Sequence, residues 1–591
     1  MLLAVLLLRG TSSAAPAEHC TTAPSVNATR LDARYTFAAA PAPLLVPFPR
    51  SLLPAAPPTY VTLSGLSAIA LAGSPAEQAL LRPAGLVLAG ELKAATGGAV
   101  DLAVVAAPIL PPWTPQITLS LDGALGGGGE DVYRLSVDGS SGAVAVSAGT
   151  FAGVSAGTGT LLQAVSLGAD HDATPETPQN CSTAPAWRLP AMQVADGEAA
   201  LPYRGIMVDA ARAYLPLPAL KSFVQLCRLH KLNYLHLHLS DDGSFTFPSA
   251  AFPELAARAP FAYNASELAE LQRYAAARGV ALVGEVDVPG HASGLTAALP
   301  GTFGFASLGD KQVGIVDFTS DAVVAALQTI FDEIGAAFPT SPYVHMGGDE
   351  VNLGKVQATP EVQAAMVAKN VTSAAELYRL FLGRMDSYAK ARNKTLLVWE
   401  GFQPPPPPPA APHRVPVSTD IIVQPFDCNI YTPPRLAADG YKIINSAWTP
   451  LYIAAHHHTG PHHPFPPALV YAWNPWLFGT VAHALEWFQL PAAQAASVVG
   501  AQMCVWQLSA ADHLCMLSSR APAMAERLWN PHAGRTFEDY SARVAATSRL
   551  LHTLLSDQGL LPPQSPSPTP PPPPGPDANA QPGCLLGCSC T

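Results

Sequence analysis

The stretch SPYVHMGGDE, Ser341 to Glu350, runs from a short apolar segment through two glycines into two adjacent carboxylates, Asp349 and Glu350. Charged residues make up only 13% of the chain, so a side-by-side pair calls for a reason. Other apolar runs end in chemistry of the same kind. Asp209 and Arg212 follow one, Asp241 and Asp242 a second, and Asp287 and His291 a third. Trp399 and Glu400 end another, and Trp506 closes the last. Acids, aromatics and one arginine suit a sugar: carboxylates accept from hydroxyls, and aromatic faces cover the apolar side of a pyranose. Glycoside hydrolysis ordinarily uses two carboxyl groups, which retaining enzymes hold about 5 Å apart across the bond. Neighbours at one strand end seldom straddle a sugar in that way. An acid beside a substrate-orienting carboxylate fits them better, with the nucleophile supplied by the substrate, as a 2-acetamido group can do.

The elements that must position these groups are legible from Tyr203 onward. Short apolar runs (RGIMVDAA, YLHLHLSD, ALVGEVDV, YVHMGGDE, LLVWEG, IIVQPF, YKIINSA and GAQMCVWQ) alternate with amphipathic segments. Ala265 to Arg278 carries Leu268, Leu271, Tyr274 and Ala275 at helical spacing, with Asn264 as cap, Glu267 three residues on and Gly279 as stop. Ser320 caps a second helix with Val324, Leu327, Phe331 and Ile334 on one face. Eight runs alternating with helices predict an α/β chain with a (β/α)8 TIM barrel. A doubly wound open sheet is the alternative. Catalytic groups of such barrels sit at the C-terminal ends of strands, where these residues fall. His236 and His238 lie on one strand face and are expected inside the barrel.

HMGGDE resembles the His-x-Gly-Gly-Asp-Glu signature of family 20 glycoside hydrolases, the β-N-acetylhexosaminidases. RGIMVDAARAYLPL looks like that family's first barrel strand, and HLHLSDDGSF, EVDVPGH and APAMAERLW match further blocks in order, over about Tyr203 to Leu555. The resemblance implies that Glu350 is general acid and then base, and that Asp349 orients the acetamido group and stabilises an oxazolinium ion. It implies that Arg212 grips sugar hydroxyls and that His291 and Asp241 form a relay behind Glu350. Trp399 and Trp506 would wall the pocket, and Tyr452 would donate to the acetamido oxygen. No metal or other cofactor is implied; the partner is an N-acetylhexosamine-terminated glycan or oligosaccharide. Three departures bear on sugar choice. Leu508 stands where the family commonly has Glu, with Gln507 beside it. Pro425 and Phe426 stand where many members have tryptophan, and Ala454 replaces a residue that is often acidic. Family members often dimerise, so a homodimer is the assembly implied, although no interface is legible.

With 591 residues, the chain exceeds the roughly 250–300 residues at which one core stops growing, so two domains or more are expected. Residues 40–195 have a β-rich texture. They include a hairpin signal over Asp131 to Ala148 and a helix over Ala156 to Ser166, which predicts a smaller α+β domain before the barrel at 201–555. Residues 1–15 read as a signal peptide and 561–591 as a Pro-rich disordered tail. Gln403–His413 and His456–Pro467 read as insertions. Five sequons (Asn27, Asn180, Asn264, Asn370, Asn393) and nine cysteines favour the secretory pathway, in lysosome, vacuole or outside the cell, with disulfides. The net charge of −11 argues against nucleic acid, and no transmembrane segment is indicated. Two other functions remain open. His236-Leu237-His238 resembles the metal pair of amidohydrolase-type barrels, and Leu508 with Ala454 would suit a degenerate sugar-binding barrel.

Overall fold

The computed structural model describes residues 43–106, 115–127, 129–168, 186–404, 415–454, 465–480, 487–531 and 534–561. The expected signal peptide, the tail beyond 561, most of both insertions, Asn27 and Asn180 lie outside the described residues, as do Cys20, Cys181, Cys584, Cys588 and Cys590. The other four cysteines, Cys227, Cys428, Cys504 and Cys515, are buried, and Cys227, Cys428 and Cys504 carry free thiols.

All eight expected strands form: β1 (Tyr203–Asp209), β2 (Tyr234–His238), β3 (Ala281–Glu285), β4 (Tyr343–His345), β5 (Thr395–Trp399), β6 (Ile422–Gln424), β7 (Lys442–Asn445) and β8 (Val498–Trp506). Neighbours pair in parallel in chain order, and β8 pairs back with β1, which closes the barrel. The open-sheet alternative is therefore excluded. Side chains alternate in and out along each strand. Leu235 and Leu237 join the apolar layer beneath the helices, while His236 and His238 are buried in the polar interior. The register aligns Asp209, His238, Glu285 and His345 in one row across β1 to β4. A short strand at Tyr452–Ala454 adds itself beside β8 and pairs Tyr452 with Cys504 and Ala454 with Trp506.

The expected helices follow their local signals. Ala265–Ala276 begins with a reciprocal capping box between Asn264 and Glu267. Asp321–Ala337 is capped by Ser320 and buries Val324, Leu327, Phe331 and Ile334 against the barrel.

Before the barrel, a seven-stranded mixed sheet carries the helices Pro75–Ala95 and Phe151–Ala164. The predicted hairpin is present as Tyr133–Val137 paired antiparallel with Val144–Ala148. The predicted helix starts five residues earlier than Ala156, because Thr150 caps it through the Gly153 N–H. Sheet and barrel share buried polar ties. Asp196 accepts from Tyr133 Oη at 2.9 Å, from Trp529 Nε1 at 2.9 Å and from Lys231 Nζ at 3.4 Å. Among the described residues, no helix is long and apolar enough to cross a membrane.

Candidate active site

The strand ends converge at the C-terminal rim of the barrel. After β4 the chain turns through Gly347 at φ +67° and Gly348 at φ +96°, backbone conformations that side chains resist. A Cβ on Gly347 would lie 1.9 Å from Asp287 Oδ1, so the turn admits only glycine there. The Gly348 N–H donates to that same Asp287 oxygen at 2.9 Å. The turn delivers Glu350 to the rim, also left-handed at φ +47°, with 59% of its side chain exposed. Asp349 lies beneath it with 16% exposed, and its Oδ1 is buried with no hydrogen-bond partner. Left-handed φ at a residue other than glycine is costly and concentrates at functional sites. His291, at φ +44°, is another such residue at the rim.

His291 bridges the two sides of the rim. Its Nε2 lies 3.4 Å from Glu350 Oε2 and 3.9 Å from Asp349 Oδ2, while its Nδ1 lies 3.6 Å from Asp241 Oδ1 and 3.5 Å from Asp242 Oδ2. Burial opposes a charge on the ring, but contacts with Asp241, Asp242 and Glu350 outweigh it, so His291 is held as an imidazolium. In return, the contact with His291 holds the Glu350 carboxyl below its ordinary range, against partial burial. Burial raises Asp349, and Asp287, facing it and more deeply buried, is raised further. Of the two, Asp349 is therefore the readier to carry the charge.

Arg212 reaches across the opposite side. Its guanidinium meets Asp241 Oδ2 at 2.5 Å and Asp209 Oδ2 at 3.3 Å, and it lies 5.2 Å from the Trp506 ring centre. Asp241 also faces His238 Nε2 at 2.9 Å, which makes it a hub joining Arg212, His238 and His291. The aromatic wall comes from three strands. Trp399 and Trp506 are 6.2 Å apart, Tyr452 lies 5.7 Å from Trp506, and Trp448 stacks on Tyr452 at 4.5 Å. The Trp506 indole N–H is buried with no partner. The eight residues expected at the site are thus brought to one rim.

Sequence reasoning left five contributors unassigned: Asp209, Asp242, Asp287, Glu285 and Trp448. Asp209 and Asp287 stand at strand ends and carried the same signal as their neighbours. Glu285 is a lone acid within an apolar strand, and that is itself a signal. Nothing local marks Trp448, because its contact depends on the added strand at Tyr452. The departures also acquire positions. Leu508 is buried in the apolar core, whereas Gln507 is exposed at φ +57° with its N–H 3.3 Å from Asp209 Oδ2. Phe426 stacks on Tyr452 at 6.0 Å and meets Trp399 at 6.2 Å, so an aromatic surface survives without tryptophan.

The buried histidines bear on the metal reading. His236, Glu285 and His345 bring candidate ligand atoms within 4.8 Å of one another. Three of their four ring nitrogens make hydrogen bonds within the protein, and the fourth, His236 Nε2, makes none. His345 Nδ1 accepts the Gly347 N–H at 3.1 Å, and its Nε2 meets Gln424 Oε1 at 2.9 Å. His236 Nδ1 faces Gln502 Nε2 at 3.1 Å, and its Nε2 lies 3.0 Å from Glu285. His238 spends both nitrogens on carboxylates, Glu285 at 2.7 Å and Asp241 at 2.9 Å. His238 and His345 thus hold the neighbouring acids and the Gly347 turn in place.

A closed (β/α)8 barrel thus carries a carboxylate pair, an arginine and an aromatic wall at its C-terminal rim, where such barrels place their active sites. Comparison with known families agrees. The model of glycosyl hydrolase family 20, catalytic domain, matches residues 201–532, and the chain belongs to that family. It is 28% identical over 349 residues to beta-hexosaminidase subunit alpha of Rattus norvegicus, covering 56% of this chain and 60% of that one. It is 28% identical over 371 residues to beta-hexosaminidase 3 of Arabidopsis thaliana, covering 61% and 62%. The chain thus spans about 60% of the length of the curated relatives it matches. Among solved structures, it resembles the GH20 exo beta-N-acetylglucosaminidase of Vibrio harveyi in complex with N-acetylglucosamine. That match has a TM-score of 0.68 and 21% identity, and covers 88% of this chain and 78% of that one. The GH20 beta-N-acetylhexosaminidase of Streptomyces coelicolor gives a TM-score of 0.64 at 23% identity, covering 87% and 97%. At these identities the structures speak for the fold.

Proposed function

We propose that this chain is an exo-acting, retaining β-N-acetylhexosaminidase. It would remove terminal non-reducing GlcNAc or GalNAc from glycans or chito-oligosaccharides by substrate-assisted catalysis. The observation that carries the reading is the unequal setting of two adjacent acids. Glu350 is open at the rim, and Asp349 is sunk beneath it with a free buried Oδ1. A sugar seated over the pair offers an acetamido N–H to that oxygen. Glu350 gives its proton to the glycosidic oxygen as the C1–O bond breaks. The acetamido carbonyl oxygen closes on C1 from the other face, forming an oxazolinium ion whose charge Asp349 balances. Water then enters from the side the leaving group vacated. Glu350, now a carboxylate, takes its proton as the bond from C1 to the acetamido oxygen breaks, and two inversions give retention.

The other groups fall into place around this step. Arg212, fixed by Asp241 and Asp209, grips hydroxyls and closes the far end of the pocket, which suits exo cleavage. His291, backed by Asp241, adjusts Glu350. Trp399, Trp506 and Tyr452 enclose the acetamido group and ring face, with the Tyr452 hydroxyl donating to the acetamido oxygen. The relatives named beta-hexosaminidase support the same reading. Exposed sequon residues Asn264, Asn370 and Asn393 support a secretory route.

The test is nitrophenol release from β-GlcNAc, β-GalNAc and plain β-glucoside substrates. The acetamido sugars should be cleaved, the glucoside spared, and a thiazoline analogue of the oxazolinium should inhibit strongly. Equal cleavage of the glucoside, or failure of the thiazoline to inhibit, would overturn the mechanism.

A further inference from the structure

Glu285 ends β3 in the barrel interior, fully buried, one layer below the rim acids. Its carboxylate divides between two partners. Oε1 accepts the Trp399 indole N–H at 2.6 Å, and Oε2 faces His238 Nδ1 at 2.7 Å. His238 then presents its other nitrogen to Asp241 Oδ2 at 2.9 Å. Each nitrogen of this ring faces a carboxylate. A neutral imidazole would turn a lone pair onto one of them at hydrogen-bond distance, so both nitrogens donate and the ring is a cation. The strand register builds this contact directly, because His238 and Glu285 are paired residues on β2 and β3.

We propose that Glu285 is a positioning residue for the reaction. It would keep His238 charged so that Asp241 stays anchored between Arg212 and His291, and it would pin the Trp399 wall of the acetamido pocket. The inference rests on the proposed function, since it assigns work to that same pocket.

Other titratable groups face Glu285 from each neighbouring element. His236 Nε2 lies 3.0 Å away on β2 and His345 Nδ1 3.5 Å away on β4. His345 cannot share the cationic role: burial lowers it to about 3, and its Nδ1 accepts a backbone N–H. The negative charge of Glu285 raises Asp287, Asp349 and the Cys504 thiol, adding to the larger effect of burial on each. The same charge supports His238 against burial. Removing it therefore lowers the pKa of each of these groups.

Glu285→Gln keeps the shape and can still accept from Trp399, but it loses the charge. It should lower kcat on the order of 10- to 100-fold, the scale of displaced substrate-facing groups. It should also leave KM much less affected and move the pH–rate profile to lower pH. Glu285→Asp, which keeps the charge, should restore the position of the profile. Trp399→Phe cuts the indole arm and trims the pocket wall but keeps the Glu285 charge, so it should lower rates while leaving the position of the profile in place. If Glu285→Gln merely loosened packing, it would lower rates with the profile unmoved, and that result would overturn the proposal.

A measurement on the unmodified protein guards against a variant that fails to fold. At about pH 9, above the ordinary histidine range near 6.5, nitrogen-15 histidine spectra should retain an imidazolium signal that survives His291→Gln. Its absence would overturn the proposal without any rate measurement. Failure of the unmodified enzyme to cleave β-N-acetylhexosaminides would instead sink the functional reading, and the spectrum would still judge Glu285.

Discussion

Asp349→Asn separates the proposed chemistry from a structural role. The substitution keeps volume and shape but removes the charge meant to face the oxazolinium. Asp349 sits in a site screened far less than the surface, with 16% of its side chain exposed. A charge pair at about 4 Å with an effective dielectric of about 20 contributes roughly 4 kcal/mol. At about 1.4 kcal/mol per decade, that predicts a fall in kcat of about 10^3-fold. KM should change far less, because the charge develops only as the acetamido group attacks. Stability should move the other way. Burial raises the folded-state pKa of Asp349, so its stability contribution is complete below the unfolded pKa and is lost as pH rises through the folded one. At neutral pH this carboxylate therefore costs stability, and Asn removes the cost. The assay pairs nitrophenyl β-GlcNAc kinetics with thermal melting at neutral pH. A large kcat loss with an equal or higher Tm fits the reasoning. A kcat loss smaller than about tenfold would refute it, being too little for a charge pair in a partly desolvated site.

Glu350→Gln should lower kcat by about 10^2- to 10^4-fold with the fold intact, the range for losing a positioned general acid; near-normal turnover would refute its role. His291→Gln removes the contact that holds Glu350 low, so Glu350 rises and stays protonated to higher pH. Its alkaline limb in a pH–rate profile should shift upward, opposite in direction to Glu285→Gln. Arg212→Lys cannot meet Asp241 and Asp209 while also gripping hydroxyls, and should raise KM about tenfold, the loss of a forked guanidinium contact. Prolonged dialysis against a chelator should leave activity unchanged, because the proposed reaction takes its acid from Glu350 and its nucleophile from the substrate and needs no Lewis acid; loss restored by a divalent metal would revive the amidohydrolase alternative.

What the chain order dictates by itself is the frame. Apolar runs at β spacing, separated by capped amphipathic helices, leave few ways to bury both surfaces, and a closed parallel barrel is one. Closure then puts the C-terminal ends of all eight strands at one rim, so Asp209, Asp241, Asp287, Asp349, Trp399 and Trp506 were legible as a site from their place after apolar runs. The glycines before Asp349 announced a tight turn, since few other residues accept left-handed backbone there. Sequence could not say which strand-end groups touch. That Arg212 pairs with Asp241 rather than Asp209 alone, or that His291 spans two acid pairs, depends on side-chain directions fixed by register across separate strands. Leu508 and Gln507 make the same point. Adjacent in sequence, they take opposite sides because Gln507 adopts positive φ, which turns one residue outward and the next into the core. Glu285 is the clearest case. Its sequence neighbours are apolar, and its meaning comes from His238 and Trp399, 47 and 114 positions away. Strand pairing sets His238 beside it, and the curvature of the barrel brings Trp399 across from β5, in a space where an unpaired charge is too costly to persist.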